Sequence, residues 1–401
     1  MTCMGKRARA SAVGALDGVQ SFGLVVLLFG LSFSEATKSI GLGLAVAGFV
    51  GKLVLGVRPR LLPRGAHWAL LAFYLAGALS VATAAPGLRR PAELFTLGMT
   101  IVPFLLVADA CARPSRKLFL ALTIVAGGAA GTLIGYFEHM TGHFDRAVLG
   151  SIENAIPAAE YLGGVVPLAV ALLLEEVASP LAGPLLGLAA GSMGIMFVMS
   201  KSRGPLPAAI AGLSMAVGMS LRRWRYGIVT AVACTTAFAV FIVANPASRA
   251  ANAMEPGARD SGSRLETWKQ TAGLVAERPV TGHGLGSFPD LGVVYEDAMV
   301  TIYQHNAHNA YLQVASDAGV LGAGSLLVFL VLSLIGSLRR SRASTGLDRA
   351  VSVGTLGGAV AVLLSGLFSV SIDAEPGILL FSLLALGSVP GLRDDEGEVS
   401  R

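Results

Sequence analysis

Apolar residues in this chain gather into long runs separated by short polar breaks, among them Ser21–Phe33, Ile40–Val57, Trp68–Ala84 and Tyr226–Ala244. With their flanks, such runs supply the ~20 apolar residues a helix needs to cross about 30 Å of hydrocarbon. None alternates with period two, so they read as helices and not as strands of a barrel. The pattern predicts about twelve spans, centred near residues 23, 48, 75, 102, 128, 165, 190, 212, 235, 327, 360 and 383. Asp17 and Gln20 interrupt the first, and Pro390 falls in the last. The predicted fold class is an all-α polytopic membrane protein, a single integral membrane domain over residues 1–401.

Composition agrees. Hydrophobic residues make up 54% of the chain and charged residues 14%, against roughly 25% charged in soluble proteins. The net charge of +5 is unevenly placed. With twelve spans, one side carries Lys6, Arg7, Arg9, Arg58, Arg60, Arg64, Arg113, Arg116, Lys117, Arg222, Arg223 and Arg225, and also Arg339, Arg340, Arg342, Arg349, Arg393 and Arg401. The short loops of the other side carry only Lys38, Arg89, Arg90, Arg146, Lys201 and Arg203. The positive-inside rule makes the first side cytoplasmic, with both termini. The positive charge is therefore a topology signal and points to no nucleic acid. Lys6, Arg7 and Arg9 precede the first span without a small-residue cleavage site, which reads as an uncleaved signal-anchor. Cys3, Cys111 and Cys234 form neither a disulfide framework nor a metal-binding spacing. Glycine pairs such as Gly127-Gly128 and Gly357-Gly358 suit close helix packing in lipid.

One interval breaks the rhythm. Between the ninth and tenth spans lies Asn245–His308, which with Asn309 forms a polar loop of 245–309 expected on the periplasmic side. Ser263-Arg264-Leu265-Glu266 fits a capping box and predicts a helix start there. Leu265, Trp268, Ala272 and Val275 recur at helical spacing, and Pro279 ends the pattern. This helix is expected to lie on the membrane surface, with Trp268 at the interface. Gly282-His283-Gly284-Leu285-Gly286 reads as an irregular turn, since it lacks the strand-to-helix setting of a nucleotide loop. A second helix is predicted from Asn306 or Ala307 to Gly319, which would place His305 and His308 three apart on one face.

The residues of this side that can carry chemistry are cations and imidazoles. Arg203 follows the seventh span and Arg264 opens the loop helix. A guanidinium grips phosphate oxygens through two parallel hydrogen bonds, while a snorkelling or surface-paired arginine is the structural alternative for each. His305 or His308 can take a proton from a hydroxyl as neutral imidazole. With Glu296, Asp297 and Asp317 they match no zinc spacing, so no metal is expected. Arg89 and Arg90 go against the charge bias and are further candidate phosphate contacts, and Glu138, His139, His143 and Asp145 are candidate acceptor contacts.

Taken together, Ser202-Arg203-Gly204, then Arg264-x-x-x-Trp268 through Arg278-Pro279-x-x-Gly282-x-Gly284-x-Gly286-x-Phe288, then His308-Asn309-x-Tyr311-Leu312 to Gly319 resemble the O-antigen ligase and polymerase superfamily of bacterial membrane glycosyltransferases. The motifs cover about residues 185–335. The resemblance implies a GT-C-like fold in the bacterial inner membrane and inverting, metal-independent transfer of a glycan from an undecaprenyl-type polyprenyl diphosphate, without a cofactor. The acceptor hydroxyl would belong to lipid A core, to another carrier-linked glycan in a polymerase, or to a protein. It implies Arg203 and Arg264 as diphosphate clamps and His308 as base or acceptor-positioning group, with His305, Asn309, Arg89 and Arg90 as further substrate contacts. A twelve-span transporter or flippase is the competing class. It would require ionisable groups or broken helices near the bilayer midplane.

Overall fold

The structure is a computed structural model that describes all residues except 1–2, 60–63, 112–113, 143–147, 151, 176–180, 245–258, 298–299, 373 and 390–401. Nine apolar helices come first: α1 (Cys3–Gly30), α2 (Glu35–Val54), α3 (Arg64–Thr83), α4 (Ala92–Ala110), α5 (Pro114–Met140), α6 (Ala155–Leu174), α7 (Ala182–Met199), α8 (Pro205–Ser220) and α9 (Trp224–Ala244). The loop helix α10 (Arg259–Glu277) and a hairpin of β1 (Val294–Asp297) and β2 (Val300–Tyr303) follow. The chain then closes with α11 (Ala310–Ala343), α12 (Gly346–Ser365) and α13 (Ala374–Ser388). Among the described residues ten helices are long and apolar enough to cross a membrane, and α8 and α13 are shorter apolar helices. All twelve coincide with predicted spans. The molecule is a polytopic, predominantly helical membrane protein.

α13 is wholly enclosed from Glu375 on, α6 and α12 are the most enclosed of the ten long helices, and α9 is the least. Glycines let backbones meet at the centre: a Cβ on Gly358 would strike the Gly164 carbonyl, and one on Gly357 would lie 2.7 Å from the Gly212 carbonyl. Small residues permit this close van der Waals approach, which stands in for the hydrophobic effect between helices in lipid. The polar residues that interrupt α1 have partners in neighbouring helices. Gln20 Nε2 donates to Leu106 O at 3.0 Å, and the Asp17 carboxylate receives Lys52 and Arg116.

Contacts between connections sort into two sets, as alternating traverses require. At one end Lys38 meets Glu375, Arg90 meets Asp290, Ser202 meets Ala155 and Ser365 meets Glu160. This is the loop end. At the far end Lys52 meets Asp17 and Asp109, Lys117 and Arg340 share Asp348, and Arg349 meets Glu175. No contact of these kinds mixes the two sets among the described residues.

Candidate functional site

The α7–α8 turn presents Arg203. Ser200 Oγ closes the end of α7 on Phe197 O at 2.6 Å and accepts from Ser202 N at 3.3 Å. Between them Lys201 takes a left-handed conformation, φ 52°, which costs a non-glycine residue about 1–3 kcal/mol unless its surroundings hold it. Ser202 Oγ ties the turn to the start of α6 through Ala155 O at 2.9 Å. Pro205 then opens α8 at the position where proline's missing N–H costs nothing.

Arg264 reaches the same place from α10. The helix begins at Arg259, so the capping box expected at Ser263 is not its start. The Asp260 and Ser263 side chains lie outside the described residues. The helix ends at Glu277, just before Pro279, as expected. Its buried positions are Thr267 and Thr271, with Leu274 packed against Phe288, Val293 and Ala307. Leu265 and Ala272, on the apolar stripe read from the sequence, face outward. The ring of Trp268 lies 6.4 Å from that of Phe368. One turn earlier, Arg264 Nη1 donates to Phe368 O at 3.4 Å. A Cβ built on Gly204 would lie 3.9 Å from that same Nη1. Segments sixty residues apart thus bring Arg264 against the residue that follows Arg203.

The histidines are not on a helix. α11 starts at Ala310 with Asn309 as its cap, so the helical face predicted for His305 and His308 does not form. His308 is left-handed, φ 49°. Its N–H is held by Asn306 Oδ1 at 3.0 Å, and its Nε2 lies 3.2 Å from Gln304 Oε1. β1 and β2, unforeseen as strands, deliver this loop: Gln304 N donates to Val293 O at 2.9 Å. Asn309 Oδ1 accepts from Tyr311 N and Leu312 N, satisfying orphan amides of the helix start. Its Nδ2 donates to Leu367 O at 3.2 Å. Ala310 N donates to Gly366 O at 2.8 Å and Tyr311 Oη to Leu363 O at 2.6 Å.

Residues 363–369 are therefore a shared anchor. Leu367 O holds Asn309 and the adjacent Phe368 O holds Arg264. The anchor is itself fixed from below by Glu160 of α6, whose buried Oε1 accepts from Ser365 Oγ at 3.0 Å and from Ser369 Oγ. Sequence reading missed Glu160, because a lone glutamate near a helix start carries no motif; its place inside an apolar run was the available signal.

The glycine run is the turn expected, and it has a partner. Gly282, Gly284 and Gly286 all have positive φ. α11 is broken at Gly319, φ 62° and ψ −164°, and the turn satisfies the break. His283 N donates to Ser316 O at 2.9 Å, Gly284 N to Asp317 O at 3.0 Å and Val320 N to Pro279 O at 2.8 Å. A Cβ on Gly319 would collide with Val280 O, and one on Gly282 would lie 2.5 Å from Asp317 O. His283 is buried with Nε2 2.9 Å from Leu274 O, which ties the turn to α10.

Beside this turn a cavity of about 600 Å³ opens between α2, α4 and α11, and His305, Asn306, Arg90, Gln313 and Asp317 are in its wall. Arg90 there is paired with Asp290 at 2.5 Å. Arg89 turns away, its Nε on Ala84 O at 3.0 Å. The site thus has two parts: the Arg203–Arg264 approach at Phe368, and the cavity bearing His305 and Arg90. The His305–Ala310 loop touches both. Glu138 and His139 at the end of α5 line neither, and His143 and Asp145 lie outside the described residues. Among the described residues no three His, Cys, Asp or Glu side chains are grouped to hold a metal ion.

No curated protein matches the chain. Residues 188–327 match the family model described as O-antigen ligase. That segment runs from α7 to the middle of α11 and includes Arg203, Arg264, His305, His308, Asn309 and the broken helix. Over that segment the chain is similar to the O-antigen ligase family, whose members are glycosyltransferase-like ligases or polymerases, and its apolar helices make it a multi-pass membrane protein.

Proposed function

We propose that the protein transfers a glycan from an undecaprenyl-type polyprenyl diphosphate to a hydroxyl of lipid A core, at the periplasmic face of the bacterial inner membrane. The observation that carries this reading is the convergence of Arg264 on the Arg203–Gly204 turn. Two arginines on connections at the same end of the bundle match the charge of a carrier diphosphate. The acceptor oxygen attacks the anomeric carbon as the bond from that carbon to the diphosphate oxygen breaks, with inversion. His308 takes the hydroxyl proton, and the diphosphate leaves with the bonding pair. Charge grows on the leaving group in the transition state, so arginines placed beforehand stabilise that state more than the ground state. Asn309 acts here by fixing the loop that carries His308. The reaction is written without a metal, and a chelator should leave turnover unchanged.

Placement of charge supports transfer over transport. The buried charged side chains Lys52, Asp109, Lys117, Arg349 and Glu375 lie within four residues of a helix end, and Asp317 adjoins the break in α11. Glu160 is one and a half turns into α6 and bonded to the loop-end serines. A transporter would need such groups at mid-depth.

The test is release of free polyprenyl diphosphate from a labelled lipid-linked glycan by the purified protein in liposomes, with and without lipid A core. Release only with the core, yielding a glycan-capped lipid, is the expected result. A ladder of longer carrier-linked chains without core would replace the ligase by a polymerase. No release under either condition would contradict transfer to these acceptors.

A further inference from the structure

The cavity of about 600 Å³ at the loop end lies within the ~300–1,000 Å³ typical of small-ligand sites, but its chemistry differs from that of the arginine pair. The Lys and Arg side chains in its wall are Lys38 and Arg90, and its carboxylates are Glu93 and Asp317. The two cations are already matched: Lys38 by Glu35 and Glu375, Arg90 by Asp290. With its cations matched and Glu93 and Asp317 in addition, the wall has no positive field to draw a diphosphate. It offers donors and acceptors in alternation. Gln313 Nε2 lies 3.1 Å from both Asp317 oxygens, and Gln313 Oε1 accepts from Ala307 N at 2.8 Å. Gly286 leaves room for Glu93, since a Cβ there would lie 2.6 Å from Glu93 Cγ. Below this polar rim the walls become apolar, with Leu42, Phe73, Leu97 and Ile378. Polar hydrogen-bonding groups above an apolar surface suit an uncharged saccharide, which has a hydroxyl edge and C–H faces.

We infer that this cavity is the subsite for the acceptor's saccharide, an inference that rests on the transferase reading above. The His305–Ala310 loop divides it from the arginine pair: His305, Asn306 and Ala310 are in the cavity wall, and Asn309 bonds the residue next to Arg264's partner. An acceptor hydroxyl from the cavity and a diphosphate at the arginines then lie on opposite sides of the loop, so the anomeric carbon can sit between the attacking and leaving oxygens, as inversion requires, with His308 on the acceptor's side. Lys38, Arg90, Glu93 and Thr96 lie outside residues 188–327. The family segment supplies the arginines and histidines, and the N-terminal helices supply the opposing wall that sets acceptor preference.

The experiment measures equilibrium binding to the full chain in nanodiscs by calorimetry. The probes are deacylated core oligosaccharide, sugar-free short-chain polyprenyl diphosphate and the glycan-bearing carrier. Thr96→Trp, from the exposed cavity side of α4, and Met99→Trp, from its inner side, each fill the cavity. Each should weaken oligosaccharide binding roughly tenfold or more, because the indole takes volume the ligand needs, with diphosphate binding and thermal midpoint unchanged. Arg264→Gln should show the converse, losing diphosphate and keeping oligosaccharide. Oligosaccharide affinity unchanged in both folded tryptophan variants, or no oligosaccharide binding by wild type that binds diphosphate, would overturn the subsite. Loss confined to the glycan-bearing carrier would assign the cavity to the donor's sugar and overturn the acceptor. Wild type that binds none of the probes would instead sink the transferase reading itself.

Discussion

The two ends of the bundle differ in how their polar residues are held. At the far end Lys52, Asp17, Asp109 and Arg116 form one network, and Lys117, Asp348 and Arg340 form another. The cavity there, about 300 Å³, has the first network as its wall. These charges hold helices together. At the loop end the ion pairs Lys38–Glu375 and Arg90–Asp290 are accompanied by many bonds to backbone: Arg264 to Phe368 O, Asn309 to Leu367 O, Ser202 to Ala155 O and the glycine turn to the break in α11. Side chain to side chain pairing neutralises both partners. Side chain to backbone bonding fixes a group in position in advance, as a preorganised site requires.

That contrast can be broken by substitution at either end. The largest effect is expected from His308→Ala, which should cost about 10²–10⁴-fold in kcat, the usual contribution of a general base, with carrier binding retained. Equal loss of binding would make the histidine structural. Arg264→Lys keeps the charge and loses the planar fork, and should cost roughly 10²-fold in turnover; near-normal activity would exclude a bidentate grip. Lys52→Met should do the reverse. Removing one partner of a buried ion pair destabilises by about 3–5 kcal/mol, seen as a lower unfolding midpoint, and the folded fraction should turn over normally. A catalytic defect there would dissolve the distinction between the ends. Gly319→Ala should destabilise by about 1–3 kcal/mol from the left-handed conformation alone, with more from the collision with Val280 O. The smallest effect belongs to Glu160→Gln, which keeps an oxygen acceptor for Ser365 and Ser369. Near-normal kcat with Gln and reduced kcat with Ala, both at unchanged stability, would sharpen its role in fixing the anchor.

The membrane architecture was legible because lipid imposes one dominant rule, a run long and apolar enough to satisfy its own backbone. All twelve runs became helices. Inside the polar loop no such rule operates, and local spacing misled. Leu265 and Ala272 recur like a buried stripe, yet Thr267 and Thr271 face inward. His305 and His308 have helical spacing, yet Asn309 caps the helix after them, because its side chain satisfies the first amides better than a continued turn would. The Val and Tyr residues of 294–303 carried a strand signal that was available and was not read. Arg203, Arg264 and His308 stood out as candidates by residue type and by the connections that carry them. Their relation through residues 363–369 and Glu160 was not legible, since it depends on contacts between positions 58 to 205 residues apart.

The central claim is that Arg203 and Arg264 grip one diphosphate together. The direct measurement is a double-mutant cycle on binding of sugar-free polyprenyl diphosphate to the protein in nanodiscs, using Arg203→Gln, Arg264→Gln and the pair. Two residues that clamp one ligand should be coupled, each single substitution removing most of the affinity and the double little more. Additive losses, or binding that survives both substitutions, would contradict the clamp.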